Sequence, residues 1–287
     1  MVTFFTIAKN VTRFLFFEPF LFLFILVLVY NGNMSNKIIV GNWKMNPVTL
    51  KDAKLTFGGI KRSLSKVRGV SVLICPPYVY LSELKKLVTG GKLEIGAQDN
   101  HYQDQGAQTG GISAYMIRDL GIKTVIIGHS ERRASGDTDE IINKKVLTAL
   151  TAGLRVILCL GEKVRDEKCH YLDVLQDQLV KDLAGFPVKL ADRLIVAYEP
   201  VWAIGKDATG VETPEGFLHN KIFIRKILTD IIGRKKAMAV PVLYGGSANA
   251  QNAGDFLGAG QADGLLVGRD SLNPKNFVEI IKIASKS

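Results

Sequence analysis

A single carboxylate at the end of an apolar run is the residue best placed to act as a base. Glu199 follows the run 194–198 and is followed at once by Pro200. Proline has no backbone N–H to give to a sheet, so the strand must end there. The C-terminal end of a buried parallel strand is where α/β barrels carry their chemistry, and partial desolvation there strengthens a base. Glu199 is therefore a candidate base, although an isolated Glu-Pro more often marks an ordinary strand end.

Polar residues also follow other apolar runs. Asn42 and Lys44 end the first run and offer an amide donor and a cation, and His129 ends the fourth, ahead of Ser130 and Glu131. A helix that starts there would disfavour the imidazolium form, so His129 is predicted to be a neutral donor to a substrate oxygen. Each of these residues alone is more often a solvated or satisfied side chain. Their recurrence at strand ends indicates a catalytic set.

Glycines follow the last two apolar runs. Gly245, Gly246 and Ser247 come after the seventh run, and Gly268 comes after the eighth. Exposed backbone in such turns is the usual phosphate-binding element of α/β barrels. A lone Gly-Gly is more often just a tight turn, so this predicted phosphate site depends on the fold.

The order of apolar and amphipathic segments along the chain is typical of such a fold. Short, continuously apolar runs, typical of strands buried on both faces, alternate with amphipathic stretches such as 140–150 and 172–183. The runs are 38–40, 70–74, 93–95, 124–127, 156–158, 194–197, 240–243 and 265–267. Eight βα units in about 250 residues predict an α/β fold, a closed (β/α)8 or TIM barrel, as one domain over 34–287. A doubly wound sheet uses the same units, but no Gly-x-Gly-x-x-Gly follows the first run.

Composition narrows the class of function. The 287 residues are 47% hydrophobic and 22% charged, as in a globular enzyme, with a net charge of +10. The basic residues are scattered, which disfavours nucleic acid as a partner and favours an anionic substrate. Cys75, Cys159 and Cys169 have no metal-binding spacing and indicate a reducing, cytoplasmic location.

Residues 1–33 form a separate hydrophobic extension. An apolar run covers 20–30 and falls short of the roughly 20 residues that a spanning helix needs. Lys9 and Arg13 precede it, as they would precede a signal peptide or an anchor. Three interpretations are open: a start upstream of the true initiator Met34, a membrane anchor through residues 14–30, or a cleaved targeting segment. Met34, close before the first strand, favours the first.

From about Lys37 onward the chain closely resembles the triosephosphate isomerase family. The matching motifs occur in order at 41–46, 96–99, 128–133, 198–205, 244–247 and 262–268. The resemblance implies an isomerase of glycolysis and gluconeogenesis that interconverts dihydroxyacetone phosphate and D-glyceraldehyde 3-phosphate through an enediolate. It implies no metal and no organic cofactor. It also implies a homodimer, with the loop 103–111 reaching into the neighbouring chain.

The resemblance implies a role for each site residue, as generally described for the family. Glu199 moves a proton between two carbons, His129 polarises the carbonyl, and Lys44 and Asn42 stabilise the developing oxyanion. Ser130 holds Glu199 in the open state, Glu131 orders Lys44, and the segment from Trp202 closes as a lid. The residues implied in phosphate binding are Gly205, Gly245, Gly246, Ser247 and Gly268.

Two features depart from the family pattern. Arg269 stands where the family usually has a second glycine after Gly268. The lid, Gly205 to Glu215, is about two residues longer than the common form, and its tip lacks the usual Gly-Lys. Arg269 must therefore direct its side chain away from the phosphate or add a charge to its site.

Two other functions remain open at this point. One is a phosphate-binding barrel lyase that uses Lys44 to form a Schiff base. The other is an inactive barrel kept for binding or for interaction at a membrane surface. The full set of Asn42, Lys44, His129 and Glu199 argues against a pure binding protein, because binding requires no base.

A chain shortened to begin at Met34 should be soluble, fully active and dimeric, because residues 1–33 supply no element of the predicted barrel. Light scattering and an isomerase assay on the shortened chain check this. An active monomer would contradict the dimer, and loss of folding would show that the extension is not dispensable.

Overall fold

The eight apolar runs are eight strands of one parallel sheet. The computed structural model describes residues 36–65, 67–90 and 93–287. The strands are β1 (Lys37–Asn42), β2 (Val70–Cys75), β3 (Leu93–Ile95), β4 (Thr124–Ile127), β5 (Arg155–Leu160), β6 (Leu194–Tyr198), β7 (Val242–Tyr244) and β8 (Gly264–Val267). The predicted extension 1–33 lies outside the described residues, so its three interpretations stay predictions.

The sheet closes on itself. Its strands pair in the order β3-β2-β1-β8-β7-β6-β5-β4, and every pair is parallel. Ala97 bridges the remaining gap between β3 and β4. Its N–H donates to the Thr124 carbonyl at 2.9 Å, and its carbonyl accepts from the Ile126 N–H at 3.0 Å. This closure confirms the TIM barrel and is incompatible with the open, doubly wound alternative.

Helices follow the strands and cover the outside of the barrel. They are α1 (Leu50–Ser63), α2 (Tyr78–Lys85), α3 (Ala114–Asp119), α4 (Ser130–Ala134), α5 (Asp139–Thr151), α6 (Tyr171–Asp182), α7 (Pro214–Ile232), α8 (Arg234–Ala239), α9 (Ala253–Leu257) and α10 (Pro274–Ala284). Short 3-10 turns cover Val188–Arg193, Val201–Ala203 and Arg269–Leu272. The two helical stretches predicted from periodicity are α5 and α6. Helix α5 is one residue longer at each end than predicted, and α6 begins and ends one residue earlier. Strand β7 begins after Pro241, not at Val240, because proline offers no N–H to the sheet.

The barrel interior is packed with apolar side chains from alternate strand positions. The residues of this layer are Val40, Leu73, Cys75, Ile126, Ile157, Cys159, Ile195, Ala197, Leu243 and Leu266. The intervening residues belong to a second, larger layer between the strands and the helices. Because side chains alternate along a strand, the next inward positions after Val40 and Ala197 are Asn42 and Glu199. The interior is therefore closed below and polar at its C-terminal end.

No helix in the part of the chain that the structure describes is both long and apolar enough to cross a membrane. Cys75 and Cys159 are buried free thiols, and Cys169 is an exposed one.

Candidate active site

Glycines on neighbouring strands make room for Glu199. The Glu199 side chain is only 2% exposed and follows Ala197 on the inner face of the barrel. A Cβ added to Gly245 would lie 3.0 Å from Glu199 Cγ, and one added to Gly161 would lie 1.7 Å from the Glu199 carbonyl oxygen. A larger residue at Gly245 would displace the Glu199 side chain, and one at Gly161 would displace the Glu199 main chain. Glycine is therefore needed at these two positions because there is no room for a side chain, independently of backbone flexibility.

The Glu199 carboxylate is held by two groups from one short segment. Its Oε2 accepts a hydrogen bond from the Ser130 N–H at 2.8 Å, and its Oε1 lies 3.0 Å from His129 Nε2. Gly128, directly before this segment, has a φ of +75°, a conformation that glycine adopts at little cost. The turn at Gly128 leads from β4 into a segment where His129 faces the carboxylate.

The hydrogen bonds of His129 define its tautomer. His129 caps α4, and its Nδ1 accepts the Glu131 N–H at 3.2 Å. A nitrogen that accepts carries no proton, so the ring proton is on Nε2 and the imidazole is neutral. The Nε2–H points at Glu199. The side chain is therefore arranged as a neutral donor directed into the site, as its position before a helix predicts.

Lys44 is held in an unusual backbone conformation. Its φ of +53° is disfavoured for a residue with a Cβ by about 1–2 kcal/mol. Side-chain amides offset this cost: the Lys44 N–H donates to Asn42 Oδ1 at 3.0 Å, and Gln98 Nε2 donates to the Lys44 carbonyl at 2.8 Å. Gln98 also donates to the Cys75 carbonyl at 2.9 Å, which ties β2 to the same loop. Gln98 lies in the motif 96–99, but its neighbours in sequence indicate no role for it.

The Lys44 side chain lies among the loops that follow β1, β4 and β8. Its Nζ lies 2.5 Å from Glu131 Oε1, and both side chains are partly exposed, so water and salt weaken the pair. A Cβ added to Gly268 would lie 3.7 Å from Lys44 Cε, which places the end of β8 beside the cation. The structure thus brings Asn42, Lys44, Gly268 and Glu131 to one place.

Most residues predicted to bind phosphate have backbone amides free to do so. The N–H groups of Gly205, Gly246 and Gly268 make no hydrogen bond to another described residue. Ser247 is exposed, and its Oγ donates to the Ala203 carbonyl at 3.1 Å, which links the β7 loop to the start of the lid.

Gly245 has a different role from the one predicted for it. Its N–H donates to the Tyr198 carbonyl at 2.8 Å and so is not available to a ligand. We revise its role from a phosphate contact to a spacer beside Glu199. Arg269 is exposed, at the start of a 3-10 turn.

Five residues connect the two ends of the predicted lid to β6 and to the loop after β5, and we call them the hinge cluster: Glu162, Arg165, Tyr198, Trp202 and Glu212. Glu162, Tyr198 and Glu212 are buried, and Arg165 and Trp202 are partly buried. Glu162 Oε1 accepts from Trp202 Nε1, the Tyr198 hydroxyl and Arg165 Nη1, all at 2.8–2.9 Å. Burial raises the pKa of the Glu162 and Glu212 carboxyls. The sequence showed Glu162 only as a residue at a strand end, and no local pattern singled out Arg165 or Glu212.

A cavity of about 600 Å³ opens beside the carboxylate. Its walls include Ser130, Glu162, Tyr171, Val201 and Glu199 itself. Within the described ranges, no group of three or more His, Cys, Asp or Glu side chains is arranged to hold a metal ion.

Comparison with known proteins gives a consistent result. The family model described as triosephosphate isomerase matches residues 37–284. The triosephosphate isomerase of Dehalococcoides mccartyi (strain ATCC BAA-2266 / KCTC 15142 / 195) is 41% identical over 257 residues, which cover 88% of this chain and 98% of that protein. The triosephosphate isomerase of Carboxydothermus hydrogenoformans is 41% identical over 87% of this chain and 99% of its own length. That of Aquifex aeolicus (strain VF5) is 38% identical over 85% and 98%.

Two substitutions of Lys44 should distinguish the effect of its charge on turnover from the effect of its backbone conformation on stability. Lys44→Gly and Lys44→Ala both remove the ammonium, so both should lose turnover by about 100-fold or more. Alanine keeps a Cβ at positive φ, so we expect the alanine variant to be about 1 kcal/mol less stable than the glycine variant. Urea unfolding and turnover check this, with the exposed Lys51→Ala of α1 as a control that should change neither. Equal stability of the two variants would show that φ at Lys44 carries no strain.

Proposed function

The chain belongs to the triosephosphate isomerase family and interconverts dihydroxyacetone phosphate and D-glyceraldehyde 3-phosphate, and we propose that Glu199 is its catalytic base. One observation carries this proposal. Glu199 is a buried carboxylate at the C-terminal end of β6, in contact with a neutral imidazole that can donate to a substrate oxygen. Proton removal beside a carbonyl requires a base and an electrophile that can reach the same substrate, and these two side chains lie side by side.

The proposed reaction moves one proton twice. Glu199 takes a proton from the hydroxyl-bearing carbon next to the carbonyl of dihydroxyacetone phosphate. The electrons of that C–H bond form a carbon–carbon double bond, and the carbonyl electrons move onto oxygen, which gives the enediolate. His129 Nε2–H donates to this oxygen and moves a proton between the two oxygens. The Glu199 carboxyl then returns its proton to the neighbouring carbon, so one carbon is oxidised as the other is reduced.

Lys44 and Asn42 supply the charge stabilisation in this proposal. The enediolate carries negative charge on oxygen, and fixed donors at that position lower the barrier because they need no reorganisation during the reaction. The Lys44 backbone is fixed by Asn42 and Gln98, which limits the volume that the ammonium can sample. Glu131 accepts the ammonium in the absence of substrate.

Substrate binding must release Glu199 from its present partners. The Ser130 N–H and His129 Nε2 both contact the carboxylate, and the base needs at least one free oxygen to reach carbon. We propose that Ser130 holds the base until the lid that begins at Trp202 closes, excludes water and retains the phosphate. The amides of Gly205, Gly246 and Gly268, together with Ser247, are the proposed phosphate contacts.

The lyase alternative has no support in the geometry. A Schiff base requires a free amine, whereas Lys44 Nζ is in an ion pair with Glu131. Borohydride reduction in the presence of substrate should therefore trap no adduct.

We also propose that the enzyme is a cytoplasmic homodimer. Met45, Val48 and Val79 are 91%, 89% and 78% exposed, unusually high for large apolar residues on a monomer surface. The Tyr80 hydroxyl donates to the Pro47 carbonyl at 3.1 Å, which places the 45–48 loop beside α2. The loop 103–111 is exposed throughout. A second copy of the chain covers this surface in the proposal, and a solution mass of one chain would contradict it.

Glu199→Asp should lower turnover by about 100-fold with little change in KM. Shortening the side chain by one carbon moves the base by about 1 Å, and misplacement of that size costs about that factor. A coupled isomerase assay measures both constants, with the exposed Glu215→Gln as the control. Near-normal turnover of Glu199→Asp would remove Glu199 from the role of base.

Arg269→Gly should change the inhibition constant of a phosphate-bearing transition-state analogue by less than about tenfold, or about 1.4 kcal/mol. Backbone amides hold the phosphate in our proposal, and glycine keeps the amide at position 269. If the Arg269 side chain instead makes a bidentate pair with the phosphate, a loss beyond about a hundredfold is expected. Inhibition constants of the two proteins distinguish these cases.

A further inference from the structure

The N-terminal end of the lid is fixed through Trp202. Its indole Nε1 donates to Glu162 Oε1 at 2.8 Å, and its carbonyl accepts the Thr209 N–H at 2.8 Å. A Cβ added to Gly210 would lie 2.7 Å from the Trp202 ring, so the far side of the lid packs directly on the indole. The lid therefore folds back on its own first residue.

The C-terminal end of the lid is fixed through Glu212. Its side chain is 3% exposed, and its Oε1 accepts the Thr213 N–H at 3.0 Å. Its Oε2 lies 3.2 Å from the Tyr198 hydroxyl, 3.5 Å from Asn220 Nδ2 and 3.8 Å from Arg165 Nη2. The Thr213 N–H and the Tyr198 hydroxyl, whose one proton is shared with Glu162, are the close contacts that hold this buried carboxylate.

The first turn of α7 is shaped to admit this carboxylate. A Cβ added to Gly216 would lie only 2.2 Å from Glu212 Oε1. Glycine is otherwise unfavourable inside a helix by about 1 kcal/mol relative to alanine, so its presence here costs local stability. The helix N-terminus also favours the negative charge of Glu212. Two separate features, the missing side chain and the helix end, thus accommodate the same group.

The two ends of the lid meet at Tyr198. Its hydroxyl lies 2.8 Å from Glu162 Oε1, which holds the Trp202 end, and 3.2 Å from Glu212 Oε2, which holds the other. Tyr198 directly precedes Glu199 on β6. Arg165 donates to Glu162 at 2.9 Å and stacks on Tyr171 at 3.8 Å from the ring centre, which fixes the guanidinium between the two carboxylates.

We propose that Glu212 is a positioning residue for the isomerisation, which ties the C-terminal end of the lid, through the Tyr198 hydroxyl, to the strand that carries the base. The inference rests on the proposed function, since it assumes a lid that closes on the phosphate. With both lid ends attached to Tyr198, closure is coupled to the position of β6. Without Glu212 only the Trp202 end is coupled, so the closed state binds phosphate less tightly.

The hinge cluster holds two carboxylates and one guanidinium, and Arg165 lies closer to Glu162 (2.9 Å) than to Glu212 (3.8 Å). Loss of Glu212 therefore leaves no unpaired buried charge, so it should affect ligand affinity more than folding. Glu212→Gln keeps an oxygen that accepts from Thr213 and an amide that bonds to the Tyr198 hydroxyl. This conservative variant should rescue the coupling that Glu212→Ala loses.

The experiment compares Glu212→Ala, Glu212→Gln and Gly216→Ala with the unaltered chain. Glu215→Gln, an exposed glutamate in the first turn of α7, is the matched control. The readouts are kcat and KM for the triose phosphates, the inhibition constant of 2-phosphoglycolate, and the change in Trp202 fluorescence at saturating inhibitor. The other tryptophan, Trp43, is fully buried with its indole bonded to the Ser271 carbonyl but lies between Asn42 and Lys44, so the same measurement on Trp202→Phe gives its contribution.

We expect Glu212→Ala to raise KM and the inhibition constant about tenfold, a factor typical of coupling between sites, with a smaller change in kcat and a reduced change in Trp202 fluorescence. Gly216→Ala should reproduce these losses because it displaces the carboxylate, although alanine favours the helix. Glu212→Gln should lie near the unaltered protein. If Glu212→Ala does not fold, Gly216→Ala alone decides.

Unchanged inhibition and fluorescence in Gly216→Ala and Glu212→Ala would overturn the inference. So would equal losses in Glu212→Gln and Glu212→Ala that follow a common loss of thermal stability. An unaltered chain without isomerase activity would instead contradict the proposed function itself, which keeps the two failures distinct.

Discussion

The site depends on one steric constraint: the inward positions that flank Glu199 at the end of the barrel are glycines. These residues, Gly161 and Gly245 on the neighbouring strands, carry no side chain that would collide with Glu199. The apolar layer below excludes water from one side, and Ser130 and His129 supply donors from another. A buried carboxylate is stable only with such donors, so packing, hydrogen bonding and chemistry are fixed together.

Much of this arrangement could be predicted because it is local in sequence. Continuous apolarity marked each strand, since a barrel strand is buried on both faces, and the residue that follows each run lies at the same rim. His129 could be read as a helix cap because Ser130 and Glu131 follow it. Strand ends were less certain: Pro241 shortened β7, while Ala97, beyond the end of β3, still pairs with β4.

What could not be predicted depends on contacts between distant residues. Gly245 reads as one half of a phosphate turn, and only the position of Glu199 shows that it is a spacer. The positive φ of Lys44 is supported only in part by a neighbour in sequence: Asn42 accepts the Lys44 N–H, but the amide that bonds to the Lys44 carbonyl belongs to Gln98, in the loop after β3. Glu162, Tyr198 and Glu212 lie on three separate segments, and a pattern within any one segment carries no information about the others.

The closure of the barrel has a consequence for its motions. Most neighbouring strands share three to six register pairs, whereas β3 and β4 are joined through Ala97 and two hydrogen bonds. Local opening of this seam breaks fewer hydrogen bonds than separation of the other strand pairs, so amide hydrogen exchange near Ala97 should report sub-global rather than global unfolding. Gln98 follows directly and supports the Lys44 backbone, so we expect an opening of the seam to loosen the loop after β1 as well. Closure of the sheet between β3 and β4 and the conformation of the Lys44 loop therefore depend on the same segment, 97–98.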